Sequence, residues 1–381
     1  KIYPPMSQQL EGAKIEYLEG FTKENFRESD TYIVGNVISR GNELLEFILE
    51  SQKKIQSGPA WLYDNILKNR EVIAISGTHG KTTVTSMVVH GLKELGIEPG
   101  YLIAGVPGGD MNSYSLGSNN LFVIEADEYD TCYFDKNPKF LHYDPRYLLV
   151  NNLEFDHADI FDNLEDIEGK FLELLQKMNS KSKAIINKDG IREKFYDNLL
   201  SSKFDCSTKF LDIKNKDFAE TNKILAGSLL EAIGKNNLNT DVFKNFRGVR
   251  RRFETVFQNS QFTIIDDFGH HPTAIENVAM KAEKDFDDLV LIVEFASNTM
   301  KSGLHDKKLK KIFSNRKTFL INASSEQTNL FNNSVILSKT NLSEVLNKKE
   351  SDHLAILMCS NKQFMGIQND LISLISSQSD E

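Results

Sequence analysis

The sequence ISGTHGKTTVTSMVVHGLKELG runs from Ile75 to Gly96 and contains a short glycine-rich turn. The segment that leads into this turn, EVIAISG, is apolar and predicts a buried strand. Apolar residues after the turn recur with helical spacing, at Val84, Met87, Val88, Leu92 and Leu95. The stretch therefore predicts a strand, a tight turn and a helix in succession.

This arrangement is typical of a phosphate-binding loop, because backbone N–H groups at the start of a helix converge on an anion and the helix dipole favours negative charge. The loop is shorter than the commonest form, since only two residues separate its glycines. Lys81 is expected to reach the terminal phosphates of a nucleotide, and the Thr82 hydroxyl to bind magnesium. The alternative is a plain turn of this composition. The candidate nucleotide-binding residues here are Gly77, Thr78, His79, Gly80, Lys81, Thr82 and Thr83.

Two further polar segments follow apolar runs that read as parallel strands. Glu125 lies in IEADEYD, and His157 lies in NNLEFDHADIF. Because parallel strands present their carboxyl ends at one edge of the sheet, both residues are expected near the loop. For Glu125 alone, the alternative interpretation is a strand-end charge in solvent. For His157 alone, it is a polar loop residue or part of a helix cap. Together with Thr82 they favour a convergent metal site.

The composition describes an acidic globular protein. The 381 residues carry a formal net charge of -9, with 40% hydrophobic and 26% charged residues. An acidic chain is a poor candidate for general nucleic-acid binding, so we expect no nucleic-acid partner. The three cysteines form no CxxC pair, which argues against zinc and favours a reducing compartment. No apolar run suits a membrane span and no signal peptide is recognisable, so we predict a cytoplasmic protein without membrane insertion.

Strands and helices alternate regularly from about Phe253, which predicts a doubly wound sheet. Its predicted strands are QFTIIDD, DLVLIVEF, KTFLINA and HLAILMCS, and its predicted helices are TAIENVAMKAEKDF, LHDKKLKKIF, LSEVLNKK and GIQNDLISLISS. A domain boundary is expected in FRGVRRRFE, whose three arginines form either a solvated charge run or a phosphate clamp. The polar stretch from Lys181 to Lys216 predicts loops with short elements.

Five stretches occur in one order: GTHGKTT, EADEYD, NNLEFDHADIF, GVRRRFE and DDFGHHPTA. They resemble the Mur ligases, ATP-dependent ligases of peptidoglycan precursors, whose phosphate loop has this short form. YPPMSQQLEGAKIEYLEGF, SGPAWL and SNTMKSG are similar to the branch that recycles a murein tripeptide. The resemblance implies an α/β protein with a UDP-sugar-binding domain at residues 1–68, a central P-loop ATP-binding domain at 69–249 and a C-terminal Rossmann-like, peptide-binding domain at 250–381. The family's glycine-rich turn ahead of YPPMS is absent, so the first domain is expected to be truncated.

The resemblance also implies roles for individual residues. ATP and Mg²⁺ are the expected cofactors, with Thr82 and Glu125 on one ion and His157 on a second. Arg252 is expected to reach the ATP phosphates, and Asp267 to contact the nucleoside. The catalytic group implied in this way is Lys81, Glu125, His157 and Arg252.

The adenine and peptide pockets match the family less closely. Asn222, in FAETNKILAG, corresponds by spacing to an adenine-contacting asparagine, and a helix N-cap is the equal alternative. Phe295 and Ala296 occupy the positions of a family Pro-Arg pair whose arginine is expected to bind a substrate carboxylate. CSNKQFMG likewise replaces a glycine-rich segment. Candidate substrate-binding residues are Ser7, His270, Ser297 and Asn298.

Three functions follow from these observations. The first is ATP-dependent joining of UDP-N-acetylmuramate to the tripeptide L-alanyl-γ-D-glutamyl-meso-diaminopimelate, through an acyl phosphate, in peptidoglycan recycling. The second is a ligase that adds L-alanine to UDP-N-acetylmuramate, which the missing arginine favours. The third is an ATP-binding homologue without catalysis, against which the intact loop argues. The acceptor and the oligomeric state stay open at this point.

Overall fold

A computed structural model describes residues 6–235, 240–347 and 352–378. Their contacts divide the chain into two compact units. The first contains the residues up to Glu154 together with Leu164–Arg247, and the second contains Phe155–Asn163 and the residues from Gly248 onward. The division of the chain into domains at residues 68/69 and 249/250 stays a prediction.

The first unit is built on a seven-stranded sheet with the order β11-β10-β9-β3-β6-β4-β5. All neighbouring pairs are parallel except β4 and β5. Two smaller pairs complete it, parallel β1 with β2 and antiparallel β7 with β8. Its strands are β1 Tyr32–Val34, β2 Ile55–Ser57, β3 Glu71–Ser76, β4 Gly100–Leu102, β5 Tyr114–Ser115, β6 Leu121–Glu125, β7 Asp130–Cys132, β8 Asp135–Pro138, β9 Tyr147–Val150, β10 Lys183–Asn187 and β11 Ser207–Leu211. Its helices are α1 Met6–Gly12, α2 Glu43–Glu50, α3 Gly58–Leu62, α4 Lys81–Glu94, α5 Leu164–Lys177, α6 Glu193–Ser201 and α7 Phe218–Ala232.

Helices α4 and α7 pack together over the central strands. Gly91 permits their close approach, because a Cβ atom there would lie 2.7 Å from Leu230 Cδ1. Apolar side chains of β3, β9, α4 and α7 form one buried cluster. Such burial explains the continuous apolar runs of β3 and β9, since parallel strands covered on both faces lack alternation. The core therefore holds the carboxyl ends of β3, β6 and β9 next to the start of α4.

The polar stretch from Lys181 to Lys216 is more regular than predicted. It contains β10, α6 and β11, and the two strands form one edge of the seven-stranded sheet. Strand β11 is an edge strand and none of its residues is fully buried. Because an edge strand needs few apolar residues, its sequence resembles that of a loop.

The second unit is a six-stranded sheet with the order β12-β13-β17-β14-β15-β16. Only the β12–β13 pair is antiparallel. Its strands are β12 Glu254–Gln258, β13 Phe262–Asp267, β14 Leu289–Glu294, β15 Lys317–Ile321, β16 Ser334–Ile336 and β17 Leu354–Cys359. Its helices are α8 Pro272–Asp285, α9 Asn298–Lys301, α10 Asp306–Phe313, α11 Ser325–Leu330 and α12 Ile367–Gln378. Two apolar clusters contain its core, as expected for a doubly wound sheet.

The sequence prediction for this unit differs from the structure at LSEVLNKK, and it did not include β12, β16, α9 or α11. LSEVLNKK forms only a short 3₁₀ turn at Leu342–Glu344, and its residues 348 and 349 lie outside the described part of the chain. Asn341 precedes the turn without a side-chain capping bond, and so short a segment does not sustain an α-helix. Helix α11 was missed, although Ser324 and Gln327 form a capping box that is readable in the sequence.

Within residues 6–235, 240–347 and 352–378, every helix is too short or too polar to cross a membrane.

Candidate functional site

The turn between β3 and α4 depends on two glycines with positive φ. Gly77 has φ +128°, and a Cβ atom there would lie 2.9 Å from the backbone N and O of Asn152. Gly80 has φ +80°, and a Cβ there would lie 2.6 Å from Asn151 Nδ2. Both positions therefore require glycine for conformation and for space. The backbone amides that open α4 are left at the carboxyl edge of the sheet.

The chain after β9 holds this loop in place. Asn152 Oδ1 accepts a hydrogen bond from His79 N at 2.7 Å, and Asn152 Nδ2 donates to His79 O at 3.2 Å. Asn151 Nδ2 donates to the same carbonyl at 2.9 Å. Thr78 N donates to Asn152 O, and the Thr78 hydroxyl accepts from Glu154 N at 2.9 Å and donates to Glu154 O at 3.3 Å. The two asparagines act as a template for the turn, a role that the sequence prediction missed.

Lys81 opens α4 and lies among carboxylates. Its Nζ donates to Gly77 O and to Glu128 Oε2, each at 2.8 Å, and lies 3.5 Å from Asp127 Oδ1. Burial opposes the charged ammonium, but the carboxylates of Glu128 and Asp127 outweigh it and raise the pKa of Lys81. Lys81 is therefore a permanent cation at the mouth of the loop.

Thr82 and Glu125 come together as the sequence predicted. Thr82 Oγ1 donates to Glu125 Oε1 at 3.0 Å, and Ala104 N donates to Glu125 Oε2 at 3.0 Å. Burial raises the pKa of Glu125, while the Lys81 ammonium opposes that shift. A hydroxyl and a carboxylate are oxygen donors of the kind that Mg²⁺ prefers. These two side chains thus fit one magnesium ion.

Asn222 lies inside α7 rather than at its end. Asp217 caps the helix by accepting from Glu220 N, so the N-cap alternative for Asn222 is wrong. Asn222 is 5% exposed, and its Oδ1 lies 3.5 Å from Asn151 Nδ2. A Cβ on Gly80 would lie 2.9 Å from the same oxygen. The structure therefore places this amide behind the loop, and its contact with adenine stays a prediction.

The three consecutive arginines have separate environments in the second unit. Arg251 is structural: its guanidinium lies 3.0 Å from Asp266 Oδ2 and donates to Ser360 O. The Arg250 side chain is exposed and lies 3.5 Å from a Glu254 carboxylate oxygen. The Arg252 guanidinium lies 5.0 Å from the Phe268 ring centroid. The run is thus neither uniformly solvated nor a clamp of three equivalent cations, and the phosphate contact of Arg252 stays a prediction.

Asp267 organises the loop that follows β13. Its carboxylate accepts from Gly269 N at 2.6 Å and from Phe253 N at 2.8 Å. Burial raises the pKa of Asp267, and the nearby Arg252 guanidinium opposes that shift. These contacts hold the end of β13 to the segment before β12. A contact between Asp267 and a nucleoside stays a prediction.

His157 belongs to the segment of the chain that groups with the second unit. There Asp156 accepts a hydrogen bond from Thr299 Oγ1 at 3.3 Å. Burial alone would raise the pKa of Asp156, but the neighbouring His157, His270 and His271 lower that pKa to about 2. A common site formed by His157 with Thr82 and Glu125 stays a prediction.

The other candidate substrate residues have identifiable structural contacts. His271 caps α8 by accepting from Thr273 N, and the His270 ring lies within hydrogen-bond distance of Phe268 O. Ser297 caps α9 by accepting from Met300 N, and Asn298 is the first residue of that helix. Ser7 is buried in α1. Substrate contacts of Ser7, His270, Ser297 and Asn298 stay predictions.

The position of the missing arginine is buried. Phe295 is fully buried beside Phe331, with 6.1 Å between ring centroids, and Ala296 is 5% exposed. Neither residue offers a charge to an acceptor. Glu294 instead organises the adjacent segment by accepting from Ser360 Oγ and from Phe364 N.

The first unit thus contains a short phosphate-binding loop with a lysine, a threonine and a strand-end carboxylate, which defines a P-loop nucleotide-binding protein. The Mur ligase middle domain matches residues 75–233. Two relatives bear the name UDP-N-acetylmuramate–L-alanyl-gamma-D-glutamyl-meso-2,6-diaminoheptandioate ligase. That of Haemophilus influenzae is 36% identical over 341 residues, and that of Escherichia coli is 35% identical over 339 residues. Each alignment covers 80% of this chain and 74% of the relative.

A solved structure is also similar to this chain. The murein peptide ligase of Psychrobacter arcticus superposes with a TM-score of 0.72 at 28% identity, over 98% of this chain and 91% of that one. The chain belongs to the Mur ligase family. This membership confirms the family, the α/β architecture and the class of ATP-dependent ligase that the sequence predicted.

Proposed function

We propose that this protein joins the lactyl carboxylate of UDP-N-acetylmuramate to the amine of L-alanyl-γ-D-glutamyl-meso-diaminopimelate, with ATP, in peptidoglycan recycling. The observation that carries the proposal is the geometry of Lys81, Thr82 and Glu125 at the loop, in a chain whose relatives bear this ligase name. Both substrates are expected in the cytoplasm, which agrees with the three free cysteines of the chain.

The proposed reaction consists of a phosphoryl transfer followed by an acyl transfer. The carboxylate oxygen attacks the γ-phosphorus of ATP, ADP leaves, and an acyl phosphate forms. The L-alanine nitrogen then attacks the acyl carbon, phosphate leaves, and the nitrogen loses a proton as the amide forms. Both transition states concentrate negative charge on oxygen atoms, so positioning and charge neutralisation are the main requirements on the protein.

The first unit has residues suited to these requirements. The loop amides and Lys81 hold the β- and γ-phosphates, because Gly77 and Gly80 let the backbone approach them closely. Thr82 and Glu125 hold magnesium, which neutralises phosphate charge when it is bound. Asn152 holds the loop amides in position by its two hydrogen bonds to the backbone of His79.

Glu125→Gln tests the magnesium assignment. We expect kcat to fall about 100-fold and the magnesium concentration for half-maximal rate to rise, because the neutral amide is a poorer ligand than a carboxylate. Magnesium titrations at saturating ATP measure both effects, with Glu98→Gln as a control at an exposed carboxylate that pairs with Lys93. An unchanged magnesium dependence would contradict this role.

Asn152→Ala tests the loop template. The variant loses two hydrogen bonds to His79, so we expect ATP affinity to fall about 30-fold, since each bond contributes about 1 kcal/mol. Calorimetric titration with ATP measures the change. Asn119→Ala is the matched control, because Asn119 Oδ1 accepts from Leu121 N, at the end of β6 that lies away from Glu125. Equal affinities for both variants would contradict the template role.

The acceptor is tested by phosphate release with ATP, magnesium and UDP-N-acetylmuramate. The diaminopimelate tripeptide and L-alanine are compared, and the product masses are measured. Release that depends on the tripeptide, with a UDP-muramoyl-tripeptide product, supports the proposal. Release with L-alanine alone would favour the second function, for which the uncharged Ala296 is the structural argument. ATP binding without either product would overturn both ligase assignments.

A further inference from the structure

A second lysine lies beside the carboxylates that surround Lys81. Lys139 Nζ donates to Asp127 Oδ2 at 2.9 Å, and the other oxygen of Asp127 lies 3.5 Å from Lys81 Nζ. Lys81 in turn contacts Glu128 at 2.8 Å. Cations and anions therefore alternate in the order Lys139, Asp127, Lys81 and Glu128. Asp127 is the carboxylate shared between the two ammonium groups.

The hairpin of β7 and β8 brings Lys139 back to this position. Lys139 N donates to Tyr129 O at 3.2 Å, and Lys139 Nζ lies 5.7 Å from the centroid of the Tyr129 ring. The hairpin is anchored at Asp130, whose backbone O and Oδ1 accept from Asn36 Nδ2 at 2.8 Å and 2.6 Å. Backbone geometry thus positions Lys139, and its side chain is 27% exposed.

We propose that Lys139 is a positioning residue for Lys81. By neutralising Asp127, it leaves the Lys81 ammonium available to the phosphates of the bound nucleotide. Without Lys139, the Asp127 carboxylate holds the Lys81 ammonium more strongly and repels the phosphates. Both effects are strong because Asp127 and Lys81 lie in a partly buried site, where electrostatic screening is weak. This inference rests on the proposed function, because it requires ATP in the loop.

The test is a double-mutant cycle with Lys139→Met and Asp127→Asn. Calorimetry measures the Kd for ATP with Mg²⁺ in the absence of other substrates. We expect Lys139→Met to raise Kd about tenfold, which lies within the coupling range of contacting charges. Asp127→Asn is expected to bind ATP at least as tightly as the wild type. The double variant is expected to match Asp127→Asn, since Lys139 then has no charge to neutralise.

Two variants separate positioning from a structural effect. Lys139→Arg keeps the charge and can donate to the Asp127 carboxylate, so its Kd is expected to stay within about twofold of the wild type. Lys136→Met removes the other lysine of the hairpin, which contacts Asp130 instead of Asp127, and is expected to leave Kd unchanged. Thermal unfolding of each variant shows whether it is folded at the temperature of the titration.

Three outcomes would overturn the inference. Lys139→Met with a wild-type Kd would show that Asp127 needs no neutralisation. A tenfold loss that persists in the Asp127→Asn background would show that Lys139 contacts the nucleotide directly. Absence of ATP binding by the wild-type protein would overturn the proposed function and this inference together, whereas the first two outcomes leave the proposed function intact.

Discussion

Lys81→Met is expected to lower kcat for ATP-dependent ligation by at least about 10³-fold, because in the proposed function it removes the cation that neutralises the transferred phosphoryl group. The methionine side chain fills a similar volume, so the loop glycines keep their conformation. Phosphate release at saturating ATP and UDP-N-acetylmuramate measures the loss. Activity within tenfold of the wild type would contradict the assignment of Lys81.

The same substitution affects stability through Glu128, a carboxylate that is 2% exposed and contacts Lys81 at 2.8 Å. Removing the ammonium from this buried pair is expected to lower the free energy of unfolding by about 3 kcal/mol. Lys81→Met/Glu128→Gln removes both charges and is expected to recover part of that loss in urea unfolding. The double variant should stay inactive, which separates the catalytic role from the structural one.

Gly77→Ala is expected to abolish ATP binding and to lower the free energy of unfolding by more than about 2 kcal/mol. Two costs combine: the backbone has φ +128°, and the added Cβ would lie 2.9 Å from the backbone of Asn152. The chain after β9 must then move away from the loop that it holds. Calorimetry with ATP and urea unfolding measure the two effects.

Gly96→Ala is the matched control for Gly77→Ala. Gly96 follows α4 with φ +74°, and a Cβ there would meet no atom within 4 Å. We therefore expect the free energy of unfolding to fall by about 1 kcal/mol, from the strain of the left-handed conformation alone, and ATP affinity to stay unchanged. If the two variants lose similar stability and both bind ATP, the close approach of Asn152 does not constrain the loop.

Local patterns predicted most of the regular structure. The runs that became β3, β6, β9, β13, β14 and β17 are apolar because the helices of their own unit cover these strands, so their burial is visible in composition. Strand β11 was missed, since an edge strand that is only partly buried keeps polar residues. LSEVLNKK was overpredicted as a helix, because periodicity alone does not show whether a segment has a capping residue and enough length.

The sequence likewise predicted only part of the candidate site. Thr82 and Glu125 were predicted to meet, and they do, because β3 and β6 are adjacent parallel strands that end at the same edge. The template role of Asn151 and Asn152 was missed, although their place just after β9 was a usable signal. The Asp127–Lys139 contact depends on how the β7–β8 hairpin folds back, which no spacing in the sequence specifies.

The sequence by itself determined the phosphate-binding loop, the strand-end carboxylate and the Mur ligase family, because each depends on residue types at short separations along the chain. Only the tertiary structure decided that Arg251 pairs with Asp266, that Asn222 supports the loop from inside α7, and that Lys139 shares Asp127 with Lys81. The physical reason is that the role of a charged or amide side chain depends on the groups that lie nearest to it. Those partners come from segments whose separation in space is set by the packing of helices on the sheets.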